Sequence, residues 1–497
     1  MKGKLFRKAS VIFLTLTLVF SLLLAPGLAY ANTPPNPGAG DICAIYVDGT
    51  NDVGYTSLSD ALNAAAPGAT IYLLVDVTEA VDIIVAAGDS LTLDLKSFNL
   101  SLADTGYISV LGDLVILNGG TLSNYDSFAV TGGSLDASVN LVSTSGNPAV
   151  VTQGSADATI VGNVTSNNIG VQATDSGTIV SITGNIDACG FGVDATNSAQ
   201  VEVVGSITVN PCIVSGYSGT GERSIGAYAR RDSKVTVIGD IAANGVMSAT
   251  LLMGGILATW GGQVTQVGNI TTSGEGIASS DGTGTKVTVT GNVSASYTGV
   301  TCRAAEVIVN GDIVVTNTSS TYYIHGILAW AAGAQVTVNG NITAIATAGA
   351  CAVAAAYESV IVVNGNIRAE SPTEAIGIEA HEDSRVTLDG DISAPIYIAF
   401  LDYNTIPQHF VITAADHDAI SNKAGYLQYS YTFPDTQLTA YVWVYGGQEI
   451  ESDSETGTSI PAAGDTNAAL FGLCALLMIA SLGALWRARR GSARQLL

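Results

Sequence analysis

The chain has few of the side chains that most catalytic and nucleic-acid-binding sites require. Aromatic residues make up 7% of its 497 positions, charged residues 12%, and only 4 histidines are present. No C-x-x-C pair occurs, which argues against a zinc site, and no G-x-S-x-G elbow marks a serine hydrolase. The sequence therefore predicts no catalytic residue, no metal site and no cofactor.

Basic residues are scarce between the two ends of the chain. Of the 18 Lys and Arg, ten lie within residues 32–464, against 41 of the 42 Asp and Glu, so this part carries a net charge near −31. Such a field repels polyanions, so we expect no nucleic-acid partner. The same negative charge makes copies of the protein repel one another, which favours solubility.

The cysteines give no metal-binding spacing, and their pairing is open. Six are present, and Cys474 falls in an apolar run near the end of the chain. Cys302 occupies a position that other repeats fill with Ala or Ser, which indicates a small buried residue. A bridge between Cys189 and Cys212, on neighbouring repeats, is one pairing that the spacing allows.

A short phrase recurs through the middle of the chain: alternating apolar residues, then Gly, then Asn or Asp in most copies, then Ile or Val. Val287–Val293 and Val336–Ile342 are two examples. A repeat of 20 to 34 residues is typical of a solenoid in which each repeat stacks on its neighbours. The ten glycines of the phrase are Gly162, Gly184, Gly205, Gly239, Gly268, Gly291, Gly311, Gly340, Gly365 and Gly390.

Each repeat contains three short strand-like segments separated by turns. The V-x-V-x stretch has period two, the segment after Gly-Asn begins a second strand, and a Gly-apolar-x-small segment such as Gly326–Ala329 forms the third. This pattern predicts an all-β fold, a right-handed parallel β-helix of about 14 rungs with Val, Ile and Ala inside. Because no two Asp are adjacent in the Asn/Asp column, the sequence favours a structural ladder over a calcium ladder.

The two ends of the chain carry export signals. Basic residues precede the apolar run Val11–Leu24, and Ala29 and Ala31 form a small-x-small site for signal peptidase. At the other end, Ala468–Trp486 is long enough to span a bilayer and is followed by four arginines.

The residues before this apolar run resemble the cell-wall sorting signal of Gram-positive surface proteins. The motif is Ile460, Pro461, Ala462, Ala463 and Gly464. Sortase recognises Leu-Pro-x-Thr-Gly in such signals, so the resemblance implies joining to peptidoglycan. Here Ile460 replaces Leu and Ala463 replaces Thr, and a plain transmembrane anchor is the open alternative. Both readings predict an extracellular protein on the wall or membrane of a Gram-positive bacterium.

These signals and the repeat divide the chain into eight segments. They are a signal peptide (1–31), a linker (32–50), an N-terminal helical cap with irregular rungs (51–155), the repetitive β-helix (156–395), an aromatic-rich C-terminal cap (396–450), a stalk with the sorting-like motif (451–467), a transmembrane helix (468–486) and a basic cytoplasmic tail (487–497).

The opening of the repeat region resembles the pectate-lyase-like right-handed β-helix superfamily. The similarity lies in the amphipathic segment Ser57–Ala66, the strand-like Thr70–Val75 that follows, and the Gly-Asn-Ile phrases. This superfamily includes polysaccharide lyases and glycosidases as well as bacterial surface proteins. An enzyme of this kind would need paired carboxylates on one face, and the only directly adjacent acidic pair, Glu382-Asp383, is typical of a solvated turn.

Aromatic and basic residues on the outward positions of the third strand suggest a binding surface instead. Trp260 and Tyr357 lie slightly displaced from these positions. Such side chains suit sugar rings or a partner protein. We therefore expect a surface-anchored adhesin or display rod that binds an extracellular glycan or protein, the alternative being a secreted polysaccharide lyase or glycoside hydrolase. The candidate binding residues are Tyr228, Arg230, Arg303, Trp330 and His381.

Overall fold

A computed structural model describes residues 38–47, 52–103, 106–214, 222–245, 252–318, 322–401, 409–411 and 413–446. The predicted signal sequence, the sorting-like motif and the apolar C-terminal run lie outside the described residues. In the described part of the chain, none of the helices has the length and apolarity that crossing a bilayer requires.

The chain winds as a right-handed parallel β-solenoid of 14 coils, as the repeat predicted. Each coil contributes one strand to each of three sheets, named A, B and C in the order in which the chain visits them. We number the coils from 1 to 14 along the chain. Strands from successive coils pair in parallel and in register, so one position of the repeat forms a column along the axis.

Sheet A provides the first strand of every coil. Its parallel strands are Ala69–Leu73, Ser90–Asp94, Asp113–Leu117, Ser134–Ala137, Asp157–Val161, Ile179–Thr183, Gln200–Val204, Lys234–Ile238, Gln263–Val267, Lys286–Thr290, Glu306–Asn310, Gln335–Val338, Val360–Val363 and Arg385–Leu388.

Sheet B provides the second strand of every coil. Its strands are Val77–Thr78, Leu100–Ser101, Thr121–Ser123, Asn140–Ser143, Val164–Ser166, Ile186–Cys189, Ile207–Asn210, Ile241–Ala243, Ile270–Thr272, Val293–Ala295, Ile313–Asn317, Ile342–Ala346, Ile367–Glu370 and Ile392–Ser393.

Sheet C provides the third strand of every coil. Its parallel strands are Ile83–Val85, Tyr107–Val110, Ser127–Thr131, Val150–Gln153, Ile169–Thr174, Phe191–Thr196, Arg223–Arg230, Leu252–Thr259, Glu275–Ser280, Thr298–Cys302, Ile324–Trp330, Ala350–Ala356, Ala375–Ala380 and Ile396–Phe400. The short strand His409–Val411 then pairs antiparallel with the last of them.

Aliphatic columns fill the interior of the solenoid, as the alternation predicted. In sheet C, Ile327 is fully buried and lies between Val300 and Val353 of the neighbouring coils. Cys302 is also fully buried, in the next inward column. Successive coils thus place apolar side chains on one another, and the burial of this surface is the main stabilising contribution.

The glycine of the repeated phrase is required by the stacking of the coils. A Cβ on any of the nine glycines from Gly184 to Gly390 would lie only 2.1 to 2.4 Å from the carbonyl oxygen of the preceding glycine in the column. No real Cβ tolerates that distance, so coils 6 to 14 must use glycine where sheet A turns into sheet B.

The Asn/Asp column forms an uninterrupted structural ladder. From Asn140 to Asn366, each side-chain oxygen accepts a hydrogen bond from the backbone N–H at the same position in the next coil, at 2.7 to 3.3 Å. The structural ladder predicted from the sequence is therefore present. These bonds satisfy turn N–H groups that the sheets leave unpaired.

A helix and two antiparallel strands precede the first coil. The helix predicted within Ser57–Ala66 is present as Leu58–Ala64. Glu79 accepts hydrogen bonds from Leu58 N and from Ser57 Oγ, so its carboxylate lies at the positive end of the helix. The strands Cys43–Ile45 and Val53–Tyr55 extend sheet A antiparallel to its first strand.

The aromatic-rich segment after the last coil extends sheet A at the other end. Thr439–Tyr445 pairs in parallel with Arg385–Leu388, and Tyr426–Thr432 pairs antiparallel with Thr439–Tyr445. A single 3-10 turn, Ala414–Asp416, lies before these strands. Tyr429 is almost fully buried, so this segment adds its own aromatic layer to the core.

Candidate functional site

The turn from sheet C to the next sheet A strand presents large side chains on strained backbone. Most coils from 5 to 13 place a residue with positive φ in this turn, and Asn or Asp takes that position in several of them. Trp260 and Tyr357 are exceptions, with φ of 49° and 52°. A bulky aromatic residue rarely adopts this conformation, so these turns carry strain of a kind that is common at functional sites.

This turn positions an arginine-rich and aromatic strip along the axis of the solenoid. Trp260 is 50% exposed, Tyr357 44% and Trp330 38%. Because coils rise by about 4.8 Å, the strip from coil 7 to coil 12 is about 24 Å long. We call it the C–A ridge; its members are Tyr228, Arg230, Arg231, Trp260, Arg303, Trp330 and Tyr357.

Three arginines of the ridge lie over aromatic rings. The guanidinium of Arg303 is 4.7 Å from the centroid of Trp330, and that of Arg231 is 5.8 Å from Trp260. Arg303 also approaches Asp281 at 3.7 Å. Each pair gains a cation–π attraction of about 0.5–1 kcal/mol at an exposed site. The ridge therefore presents rings and cations that hold one another in position before any ligand arrives.

The end of the ridge at coil 7 is fixed by a buried carboxylate. Arg230 Nη2 lies 3.2 Å from Oδ2 of Asp194, a residue with no exposed surface, and the Arg230 guanidinium is 5.2 Å from the ring of Tyr228. Tyr228 in turn stacks on Phe191, with 5.9 Å between ring centroids. A charge-assisted bond to a buried partner restricts the arginine to one orientation.

The structure brings four of the five predicted binding residues onto the ridge and places the fifth elsewhere. Tyr228, Arg230, Arg303 and Trp330 belong to it. His381 is only 2% exposed, and its Nε2 lies 2.6 Å from Oε1 of buried Glu379. His381 follows the outward alternation of its strand, but the packing around it removes it from solvent.

Sequence reasoning missed one ridge arginine, whereas the strand alternation already indicated that the aromatic column is interrupted. Arg231 stands in the turn itself, one residue beyond the strand pattern, and it pairs with Trp260. Within the strands, Leu257 and Leu328 occupy the column of Tyr228, so aromatic side chains do not follow one another there. Arg231, Trp260 and Tyr357 join the ridge from the positive-φ turn, which no alternation pattern reveals.

A second group of ionisable side chains lies on the outer face of sheet C in coils 11 to 13. It comprises His325, Cys351, Glu379 and His381. Burial raises the pKa of the Cys351 thiol well above its usual range, and burial lowers the pKa of His325. Because a protonated thiol is a weak nucleophile, this group is not arranged as an activated cysteine–histidine pair.

A groove of about 480 Å³ runs beside the polar ladder at the C-terminal coils. Asp312, Asn341 and Asn366 line it, and each of their side chains already accepts a backbone hydrogen bond of the ladder. Arg368 at its rim is paired with Glu370. The polar groups of the groove thus serve the stacking of the coils.

Among the described residues, no three His, Cys, Asp or Glu side chains are grouped closely enough to hold a metal ion. The C–A ridge is therefore the arrangement best suited to recognition.

Comparison of the sequence with protein-family models, with curated proteins and with solved structures finds no match. The structure shows a parallel β-solenoid, and no family match supports the pectate-lyase-like assignment.

Proposed function

We propose that this protein is a surface-anchored β-solenoid that binds an extended glycan along its C–A ridge. The observation that carries the proposal is the row of exposed rings with arginines stacked on them, in particular Arg231 with Trp260 and Arg303 with Trp330. The apolar face of a sugar ring packs on an aromatic side chain, and a guanidinium donates to ring hydroxyls or carboxylates. A linear ligand lying along the axis would meet these groups in succession.

The ligand class follows from the contrast between the ridge and the rest of the molecule. Residues 32–464 carry a net charge near −31, which repels strongly anionic polymers at long range. The ridge concentrates three of the ten basic residues of this part. Neutral or weakly acidic polysaccharides fit both conditions. The seven ridge residues include no carboxylate, which favours binding over cleavage.

Binding is tested with the full-length protein in detergent on arrays of glycans and of matrix proteins. We expect Trp260→Ala and Trp330→Ala each to weaken glycan binding about tenfold, which corresponds to about 1.4 kcal/mol. Tyr46→Ala is the matched control, since Tyr46 is 42% exposed and precedes the first coil. Equal affinity of the ridge variants and the wild type would refute the ridge as the binding site. Exclusive binding to proteins would refute glycans as the ligand class.

Turnover is measured on a panel of polysaccharides with the same preparation. Cleavage of any of them, abolished by a ridge substitution, would replace the adhesin proposal with the lyase or glycosidase alternative. A binding curve without product formation supports the present proposal.

Attachment to the cell surface is part of the same proposal. The signal peptide with Ala29 and Ala31 delivers the chain outside the cytoplasm, and the motif from Ile460 to Gly464 joins it to peptidoglycan after sortase cleaves behind Ala463. The helix before coil 1 and the aromatic segment after coil 14 close the two ends of the solenoid, where strand edges would otherwise be open to other chains.

Anchoring is tested by fractionating cells after muramidase treatment. Release of a protein without residues 464–497 supports sorting, whereas extraction only by detergent, with the tail intact, refutes it. Ala463→Thr restores the residue that the sorting signal normally has, so it should increase the released fraction. A transmembrane anchor would be unaffected by this change.

A further inference from the structure

Two cysteines from adjacent coils meet where sheet B turns into sheet C. Cys189 ends the sheet B strand of coil 6, in register with Asn210 of coil 7, and Cys212 follows Asn210 by two residues. The Cys189 thiol donates to Pro211 O at 3.6 Å, and the Cys189 and Cys212 thiols contact each other. Both residues are half-buried, so solutes reach them.

The backbone at Gly190 lets the Cys212 side chain lie close to the residue that follows Cys189. Gly190 has a φ of 95°, and a Cβ at this position would lie 3.2 Å from Cys212 Sγ and 2.3 Å from a methyl group of Val214. Only glycine therefore allows Cys212 to lie beside Cys189.

We propose that Cys189 and Cys212 form a reversible disulfide that ties coil 6 to coil 7. The bond would lie beside the start of the sheet C strand of coil 7, because Cys212 pairs with Arg223. Arg223 begins the strand that carries Tyr228 and Arg230, so the tie lies beside the first members of the C–A ridge. The remaining described cysteines, Cys43, Cys302 and Cys351, are buried.

The oxidation requires a disulfide-bearing oxidant such as oxidised glutathione or a thiol–disulfide oxidoreductase. One protein thiolate attacks the oxidant's S–S bond, forms a mixed disulfide and releases one thiol. The second protein thiolate then attacks the protein sulfur of the mixed disulfide, forms the Cys189–Cys212 bond and releases the second thiol. Two electrons pass from the protein to the oxidant, and the two thiol protons end on the released thiols.

The reaction should accelerate with pH. Burial, together with the neighbouring Cys189 thiol and Glu222, raises the pKa of Cys212 to about 12. Its thiolate fraction near neutral pH is therefore small and grows about tenfold per pH unit. The occurrence of the bond in cells rests on the proposed export, which exposes the thiols to an oxidising environment. Its formation in vitro depends only on the geometry.

The test treats the reduced full-length protein with oxidised glutathione at pH 7 and pH 9, followed by alkylation under denaturing conditions and peptide mapping. We expect a cross-linked peptide containing Cys189 and Cys212, formed faster at pH 9, with Cys43, Cys302 and Cys351 alkylated as free thiols. Glutathione adducts on Cys189 or Cys212 without the cross-link would overturn the proposal, as would full alkylation of both.

Variants separate the pair from nonspecific oxidation. Cys189→Ser should convert the product into a glutathione adduct on Cys212, while Cys302→Ala should leave the cross-link unchanged. Circular dichroism checks that each variant retains its β-sheet signal. A missing cross-link would not contradict glycan binding by the ridge, and missing glycan binding would not contradict the cross-link. The two proposals can therefore be refuted independently.

Discussion

Replacing Asn341 by Asp would put two carboxylates on adjacent coils of the polar ladder. Asn341 Oδ1 accepts from Asn366 N at 2.9 Å, and its Nδ2 donates to Asp312 Oδ1 at 3.2 Å. Asn341→Asp keeps the acceptor but reverses this second contact from attraction to repulsion. Asn163→Asp makes the same change where both ladder neighbours are asparagines, so it is the matched control.

The magnitude follows from the spacing of the coils and the exposure of the ladder. Two unit charges about 4.8 Å apart repel by about 1 kcal/mol in water and by about 3–4 kcal/mol at an effective dielectric constant near 20. Asn341 is exposed and Asp312 is half-buried. We therefore expect Asn341→Asp to lower the free energy of unfolding by about 1–2 kcal/mol more than Asn163→Asp does.

The penalty should depend on salt and pH in a defined direction. Repulsion raises the pKa of the carboxylate pair in the folded variant above its unfolded value. The folded variant then binds more protons, and its stability falls as the pH rises through the range near 4. The penalty should be absent at lower pH and reduced in 1 M salt.

Urea denaturation followed by circular dichroism, at low and high salt and at pH 3 and 7, measures these differences. Equal losses for Asn341→Asp and Asn163→Asp, or a difference that neither salt nor acid removes, would show that the ladder does not bring these side chains together.

Three further predictions concern the core, the glycine column and a titrating histidine. Ile327→Asp should lower the free energy of unfolding by more than about 4 kcal/mol, because it buries a charge. Leu328→Asp lies at a half-buried outward position and should lower it by about 1–2 kcal/mol. Similar urea midpoints for the two variants would contradict the strand register. Gly184→Ala should reduce the yield of folded protein, because its Cβ would lie 2.1 Å from a carbonyl oxygen. Gly146→Ala is the control and should be tolerated, because its Cβ would meet no atom within 4 Å. Equal thermal midpoints for the two variants would contradict this reasoning. Burial lowers the pKa of His325 below 6.5 in the folded state, so the unfolded chain binds the proton more readily and stability is lost as the pH falls below 6.5. His325→Gln should reduce this loss, and an unchanged pH dependence of the unfolding midpoint would refute the assignment.

The sequence alone determined the coil and its stacking. Period-two alternation placed Ile327 inside, and the recurring Gly-Asn step identified the turn in which the ladder forms, because both patterns depend only on neighbours in the chain and on the repeat. In a solenoid, equivalent residues of successive repeats stack in one column. These local patterns were therefore sufficient to predict the core and the ladder.

The tertiary structure decided which outward side chains are accessible and which distant residues meet. Alternation turns both His381 and Trp330 outward, but packing buries His381 against Glu379 and leaves Trp330 exposed. The contact between Cys189 and Cys212 depends on the path of the chain around Gly190. Outward direction is a local property of a strand, whereas exposure depends on neighbouring coils and on the segments that leave the solenoid, which repeat no pattern.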